Sequence, residues 1–397
     1  MALSTVAMMD KALKEHYLPV VQDQMDNHSG PMISMIEKNT EEVEGKNIKM
    51  VLKYGRSGGV GASGETGPLP TASPRSYEHA EWGTKNIFGT IAISQKLILA
   101  SKSNKGSWAR QLSTQLEDTT NDCKDDFYRQ IFGDGTGIIT TVASATSAKT
   151  TIPVTNNIKF LREGMRIDVL ASDGTPKEAG RSIIMRDKAN MLIGVAGSAM
   201  TLAQGDIITV AGAYMNELTG MKAIFDNDKD LYKIPRSGDA KWFCTNIIDL
   251  AVENSGTMQE LDEIRMQEAI DEADEEANSK IDYIQCGAGV ARAYQYLQQS
   301  FKRNVEYMNL KGGFKAMSYN GMPLRKETYE DANVMRFLNQ KDFGLFRMSD
   351  WDWMSEDGAT LHRVAGTAGY EATLYFFGDL GCRKPKGQTL MKGIIEH

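Results

Sequence analysis

The chain has 397 residues, 41% hydrophobic and 24% charged, with a formal net charge of −7. That length exceeds one compact core and that apolar content exceeds a disordered chain's, so two or three folded domains are expected. No apolar run approaches the roughly 20 residues of a membrane-spanning helix, and no concentrated basic patch of the kind that reads DNA is present.

The N-terminus, MALSTVAMMDKALKEHY, is amphipathic and lacks an apolar core followed by a small-residue cleavage site, which argues against a secretory signal. Leu3, Val6, Leu13, Leu18 and Val21 within residues 3–27 recur at loosely helical spacing, so a short helix or an extended arm is expected there. From Lys46 the period becomes two. Ile48, Met50, Leu52 and Tyr54 alternate with polar residues, as in a strand with one drier face. A Gly/Ser/Pro-rich stretch over 55–74 and a second extended segment over 77–94 complete a projecting hairpin with a long flexible tip.

The strongest helical pattern follows. Trp108, Leu112, Leu116, Thr119, Cys123, Phe127 and Ile131 recur at intervals of three and four, with Asn104 or Ser107 as cap and GDGTG at 133–137 as the stop. Residues 138–213 turn to Thr, Ala, Val, Ile and Gly with many turn signals. Within them Leu161-x-x-Gly164-x-x-Ile167-x-Val169 echoes as Leu202-x-x-Gly205-x-x-Ile208-x-Val210. Together with strands at 182–187 and 191–197 this reads as an inserted all-β unit. Beyond Lys222 come a strand at 241–248, a charged helix at 257–280, a buried strand at 281–287, a helix from about 290 to 303 and several late strands. That order indicates an α+β or α/β domain.

Several stretches imitate chemistry. Gly55-Arg56-Ser57-Gly58-Gly59 fits the G-x-S-x-G nucleophile turn, and Gly59-Val60-Gly61-Ala62-Ser63-Gly64 fits the dinucleotide fingerprint G-x-G-x-x-G. Both patterns need a helix immediately afterwards, and Pro68, Pro70 and Pro74 oppose one. His79 and His362, the candidate bases, have no recognisable setting. A hydrolase or nucleotide-binding enzyme centred on 55–64 is therefore the weaker alternative. Its test is whether a helix follows Gly64.

The acidic run from Glu260 to Glu276 lacks the glycine and the alternating Asp/Asn positions of a calcium loop, and Met258, Leu261, Ile264, Ile270 and Ala273 give it an apolar side. Cys123, Cys244, Cys286 and Cys382 form no C-x-x-C pair, which argues against zinc and for reduced thiols. Trp351-Asp352-Trp353 reads as a packing anchor, and Arg383-Lys384-Pro385-Lys386 supports only weak phosphate contact. The residues indicate no catalytic group, no cofactor and no metal.

The order of parts, with DDFYRQIFGDGTG (125–137), GMPLRKETY (321–329), LNQKDFGLFRMSDWDWMSEDG (338–358) and YEATLYFFGDLGCRKPKGQTLMKGI (370–394), resembles the major capsid proteins of tailed bacteriophages with the Hong Kong 97-type fold. The resemblance implies an α+β chain with an N-terminal arm (1–46), an E-loop hairpin (47–94), and a spine helix with peripheral domain (95–137). It further implies an inserted β domain (138–213), a peripheral return (214–240), an axial domain (241–340) and C-terminal strands (341–397). Trp108, Leu112, Leu116, Phe127 and Ile131 would pack the spine helix. The E-loop would lie over a neighbouring subunit, touching it through Arg56, Gly58, Gly59, Gly61, Glu65 and Arg75.

The function so implied is a virion capsid of pentamers and hexamers around double-stranded DNA, assembled in the host bacterial cytoplasm, without a membrane. The chain shows only a short arm before the hairpin, so a separate scaffolding protein is expected, together with a portal; whether decoration proteins bind as well is left open by the sequence. Some family members cross-link an E-loop lysine to an asparagine. No lysine lies between Lys53 and Lys85, so a shell without cross-links is expected. An encapsulin-like compartment is the nearest alternative.

Overall fold

The computed structural model describes residues 36–65, 67–71, 73–95, 105–300, 307–309, 315–355, 359–364 and 366–397; the arm expected over 3–27 lies outside them. The chain divides into two compact units. One comprises residues up to Thr84, Phe88–Thr120 and Ile224–His397, the other Lys85–Ile87 and Asn121–Ala223.

The first unit opens with β1 (Glu37–Asn39), β2 (Val43–Glu44), β3 (Asn47–Tyr54) and β4 (Ser76–Gly83), and from Phe88 onward it holds β5 (Lys85–Ser94). The period-two pattern of β3 has its structural counterpart: Ile48, Met50 and Leu52 are buried, while Lys49, Val51 and Lys53 are exposed. β3 pairs antiparallel with β4 from Asn47↔Gly83 to Tyr54↔Ser76. The segment expected to run unbroken over 77–94 is in fact two strands in different sheets. The Thr84 amide donates to the Lys46 carbonyl at 2.9 Å and closes the hairpin, after which β5 joins another sheet.

Helix α1 (Lys105–Ile131) has 27 residues, about 40 Å at 1.5 Å per residue. From Asn121 onward it belongs to the second unit. That unit holds β6 (Ile138–Thr141), β7 (Thr146–Lys149), β8 (Thr151–Pro153), β9 (Arg166–Leu170), β10 (Pro176–Asp187), β11 (Leu192–Val195), β12 (Met200–Leu202) and β13 (Ile207–Val210). They form a six-stranded sheet in the order β6-β13-β9-β10-β11-β8 and a two-stranded sheet of β12 and β7. Ile152, Leu161, Ile167, Val169, Ile193 and Ile208 are fully buried in the shared core.

The sequence echo is a structural repeat. In each copy a backbone bond closes a four-residue turn, Met165 to Arg162 and Asp206 to Ala203. Its third residue is glycine at positive φ, +88° for Gly164 and +86° for Gly205, the position where a type II turn demands a left-handed residue. The strands that follow, β9 and β13, then pair with each other, Ile208 opposite Val169.

The rest of the first unit contains β14 (Asn246–Asp249), α2 (Glu263–Ala277), β15 (Tyr283–Cys286), α3 (Ala288–Ser300), β16 (Tyr307–Asn309), β17 (Lys315–Tyr319), β18 (Met322–Lys326) and β19 (Val334–Leu338). It ends with β20 (Phe343–Trp353), β21 (His362–Arg363), β22 (Gly369–Cys382) and β23 (Thr389–Lys392). Seven strands make a mixed sheet ordered β14-β23-β19-β15-β18-β17-β16. Its central strand β15 is buried at every residue, which is why it reads as a continuous apolar run. Met266, Ala269 and Ala273 of α2 and Val290 and Tyr294 of α3 share its core.

A second sheet joins β1, β20, β22 and β21, with β5 also on β22. Trp351 and Trp353 are buried there, as expected of anchors, and Trp351 stacks on Phe376 at 5.1 Å.

Two local expectations are corrected. The strand expected over 241–248 begins only at Asn246, because Ala240–Phe243 is a 3-10 turn that buries Phe243. The apolar side of the acidic helix is met only in part. Leu261 and Ala273 are buried and Ile270 packs against the same core, but Ile264 is 75% and Met258 45% exposed, and Met266 and Ala269 take the buried positions instead.

Candidate assembly site on the glycine-rich hairpin

Beyond Tyr54 the chain leaves the ladder and returns at Ser76 as a long tip. Two serines tie the tip together from within. The Ser57 hydroxyl donates to the Ser73 carbonyl at 2.8 Å, and the Ser63 hydroxyl donates to the Pro68 carbonyl at 2.9 Å. Gly58 sits where the two limbs come closest, since a Cβ there would meet the Ser73 Cβ at 3.0 Å. Among the described residues from Glu65 to Ser94 there is no helix. Neither glycine pattern therefore has the element its chemistry requires. His362 lies against the Met354 carbonyl at 3.2 Å, and His79 is opposite Val51 on the exposed face of β4.

The hairpin has two unlike faces. Its inner face is dry: Ile48, Met50, Leu52, Ala80 and Trp82 are all under a tenth exposed. Trp82 stacks on Tyr232 at 3.9 Å and meets Phe346 edge-on at 5.5 Å. The Glu81 amide donates to the Tyr232 carbonyl at 3.1 Å. The Tyr232 hydroxyl donates to the Leu380 carbonyl at 3.1 Å and accepts from the Cys382 amide at 3.2 Å. Burial pushes that phenol well above its ordinary pKa, so it remains a donor.

The outer face and tip are wet, cationic and partly apolar. Lys49 bonds Glu44 at 2.8 Å, which raises the lysine pKa and lowers that of the carboxylate. Arg56, Gly58, Gly59, Gly61, Glu65 and Arg75 are all exposed. Four large apolar side chains stand beside them in solvent: Val51 at 62%, Tyr77 at 58%, Val60 at 65% and Leu69 at 86%. Sequence reasoning singled out the charges and passed over these four. Val51 was the available signal, an apolar residue on the lysine-bearing side of an alternating strand.

Residues 46–84 carry five cations (Lys46, Lys49, Lys53, Arg56, Arg75) and three carboxylates (Glu65, Glu78, Glu81), a balance of +2 in a chain of −7. The remainder is therefore at −9.

Of the residues expected to pack the long helix, Phe127 and Ile131 are each 1% exposed. The side chains of Trp108, Leu112 and Leu116 lie outside the described residues. Among the described residues no group of His, Cys, Asp and Glu is placed to hold a metal ion, and no helix is long and apolar enough to cross a membrane.

No protein-family model and no curated protein matches the chain. Solved structures do. The capsid protein of cyanophage A-1(L) superposes with a TM-score of 0.57 at 11% identity, covering 92% of each chain. The empty GTA particle capsid gives 0.49 at 9% identity, covering 92% of this chain and 90% of the other. The SrpI encapsulin of Synechococcus elongatus gives 0.47 at 7%, covering 92% and 87%. The chain thus has the fold of a phage capsid protein. The cyanophage likeness carries that statement, because it extends over nearly the whole of both molecules.

Proposed function

We propose that the protein is the structural major capsid subunit of a tailed-phage head, assembling into pentamers and hexamers around double-stranded DNA. The observation that supports this best is the end-to-end likeness to the cyanophage capsid protein, 92% of each chain at a TM-score of 0.57. On this reading the chain is divided as the Hong Kong 97-type fold divides, into arm, E-loop, spine helix, peripheral and axial domains, with 138–213 as the inserted domain. A separate scaffolding protein directs assembly in the host cytoplasm, and a portal completes the head.

The E-loop is the hairpin, and its outer face lies over a second copy. A cationic, half-apolar surface at +2 on a chain otherwise at −9 finds a matching partner in another copy of itself. Arg56 and Arg75 contribute ionic contacts, with Glu65 as the local acceptor. Val60 and Leu69 supply apolar area. The glycines let one tip serve neighbours at pentamer and hexamer positions. Many modest contacts of this kind sum to a stable closed assembly.

The test is to purify assembled material and analyse its contents after nuclease treatment. Protected double-stranded DNA in large particles supports a phage head, whereas protein cargo without DNA would make the protein a compartment shell. Shells that dissociate to single chains on boiling in detergent fit the absence of lysine between Lys53 and Lys85, and a covalent ladder would contradict it. Deleting 57–72 should leave a folded subunit that no longer assembles. Normal shells from that variant would remove the loop from the account.

A further inference from the structure

Two of the contacts that hold the hairpin to its own unit, one at each end of its buried inner face, differ greatly in quality. At its base is the turn Leu231-Tyr232-Lys233-Ile234, closed by reciprocal backbone bonds of 3.1 Å and 2.8 Å between Leu231 and Ile234. Its two central residues both have positive φ, 52° and 63°. That conformation normally calls for Asn-Gly, and a tyrosine followed by a lysine holds it only where surrounding contacts fix both. Those contacts go to the hairpin and to β22. The Tyr232 ring lies on Trp82, its carbonyl takes the Glu81 amide, and its hydroxyl bridges Leu380 and Cys382. Lys233 Nζ reaches Glu81 Oε2 at 3.4 Å. Tyr232, Trp82 and Phe346 are all buried.

The second fastening is at the other end of β3. Tyr54, opposite Ser76, stacks on Trp242 with ring centroids 4.3 Å apart and planes 5° from parallel. It is six residues beyond Ile48, which pairs with Trp82, or about 20 Å along a strand. Both rings are only half-buried. Trp242 belongs to the 3-10 turn whose next residue, Phe243, is buried and meets Tyr232 edge-on at 6.3 Å. Pivot and distal contact are thus carried by one short segment, 231–243.

We propose that the hairpin is a hinged strap, with the strained Tyr232–Lys233 turn as its pivot and the Tyr54–Trp242 stack as a releasable latch. Opening the latch frees the outer half, Val51–Tyr54 with Ser76–His79, while the base stays fixed. The opened state lays bare Leu52 and the inner side of Tyr54, so it persists only where another apolar surface receives them. If the shell reading above is right, that surface is a second copy, and the latch holds the unassembled subunit closed. The strap itself is a property of the isolated chain and does not depend on that reading.

Amide hydrogen exchange on the full-length protein, kept dilute and unassembled, tests it. Tyr54→Ala and Trp242→Ala should each speed exchange across 51–54 and 76–79 by about 2- to 10-fold, the opening factor expected for loss of one such stack. Residues 80–84 and 229–234 should be unchanged. Tyr232→Phe, which keeps the ring and loses the hydroxyl bridge, should speed exchange at base and outer half together. Unchanged exchange in the outer half of both latch variants, or equal acceleration of base and tip in them, would overturn the proposal. Failure of the wild type to form shells alongside the split exchange pattern would remove the shell reading and leave the strap standing.

Discussion

Arg129, on the last turn of α1, grips Glu217 with both ends of its guanidinium. Nη1 donates to Oε2 at 3.0 Å and Nη2 to Oε1 at 2.5 Å, with the side chains only 8% and 3% exposed. Asp126, one turn earlier, takes further bonds from Nε and Nη2 at 3.0 and 2.8 Å. Burial works against the arginine's charge, but the two carboxylates outweigh it and push its pKa further up. The pair ties the end of the long helix to the segment that returns after β13.

Removing one member leaves the other buried without its counter-charge, which costs about 3–5 kcal/mol, while replacing both by apolar residues is often near neutral. Arg129→Met should therefore lower the calorimetric transition of the second unit markedly. Arg129→Met with Glu217→Leu should recover most of the loss. A single variant as stable as the wild type would contradict this account of the helix end.

Gly164 and Gly205 test the repeat. A Cβ at either position would meet nothing within 4 Å, so the penalty for alanine is that of the left-handed backbone alone, about 1–2 kcal/mol. The two losses should be equal within error in chemical denaturation. Asparagine should restore part of each, since it tolerates positive φ. Gly220 offers the contrast. Its Cβ would lie 2.4–2.6 Å from the carbonyl oxygens of Gly133, Gln130 and Ile131, so asparagine there should be no better than alanine.

Glu327 gives the fold a pH dependence. Its carboxyl is 3% exposed and accepts the Tyr283 hydroxyl at 3.1 Å. Burial pushes its pKa from 4.5 up to about 8. The folded chain thus favours the protonated acid. Its contribution is complete below about pH 4.5 and is lost as pH rises through about 8, a change on the order of 5 kcal/mol. Melting temperature should fall between pH 5 and pH 9. Glu327→Gln should flatten that fall, matching the wild type at pH 5 and exceeding it at pH 9. Parallel curves for the two proteins would show that Glu327 is not the titrating group.

Much of this architecture was legible because it rests on local patterns. Alternation in β3, the three–four spacing through Phe127 and Ile131, and the glycine turns at Gly164 and Gly205 each reflect a short-range geometric demand. The prolines after Gly64 likewise ruled out the helix that two catalytic patterns needed. What was not legible depends on distant partners. Nothing near Thr84 in sequence marks the switch of sheets, because β5 pairs with β22 nearly 300 residues later. Tyr232 acquires its role from Leu380, 148 residues away. Ile264 matched the helical period of the acidic run and still faces solvent, because Met266 and Ala269 set the buried side.

The central claim is that this chain closes a shell, and electron cryomicroscopy of the protein, expressed alone and together with a candidate scaffolding protein, tests it most directly. The account predicts closed icosahedral particles whose capsomers show the hairpin of each subunit lying over its neighbour. A protein that stays monomeric under both conditions, or assembles with the hairpins making no contact between subunits, would contradict it.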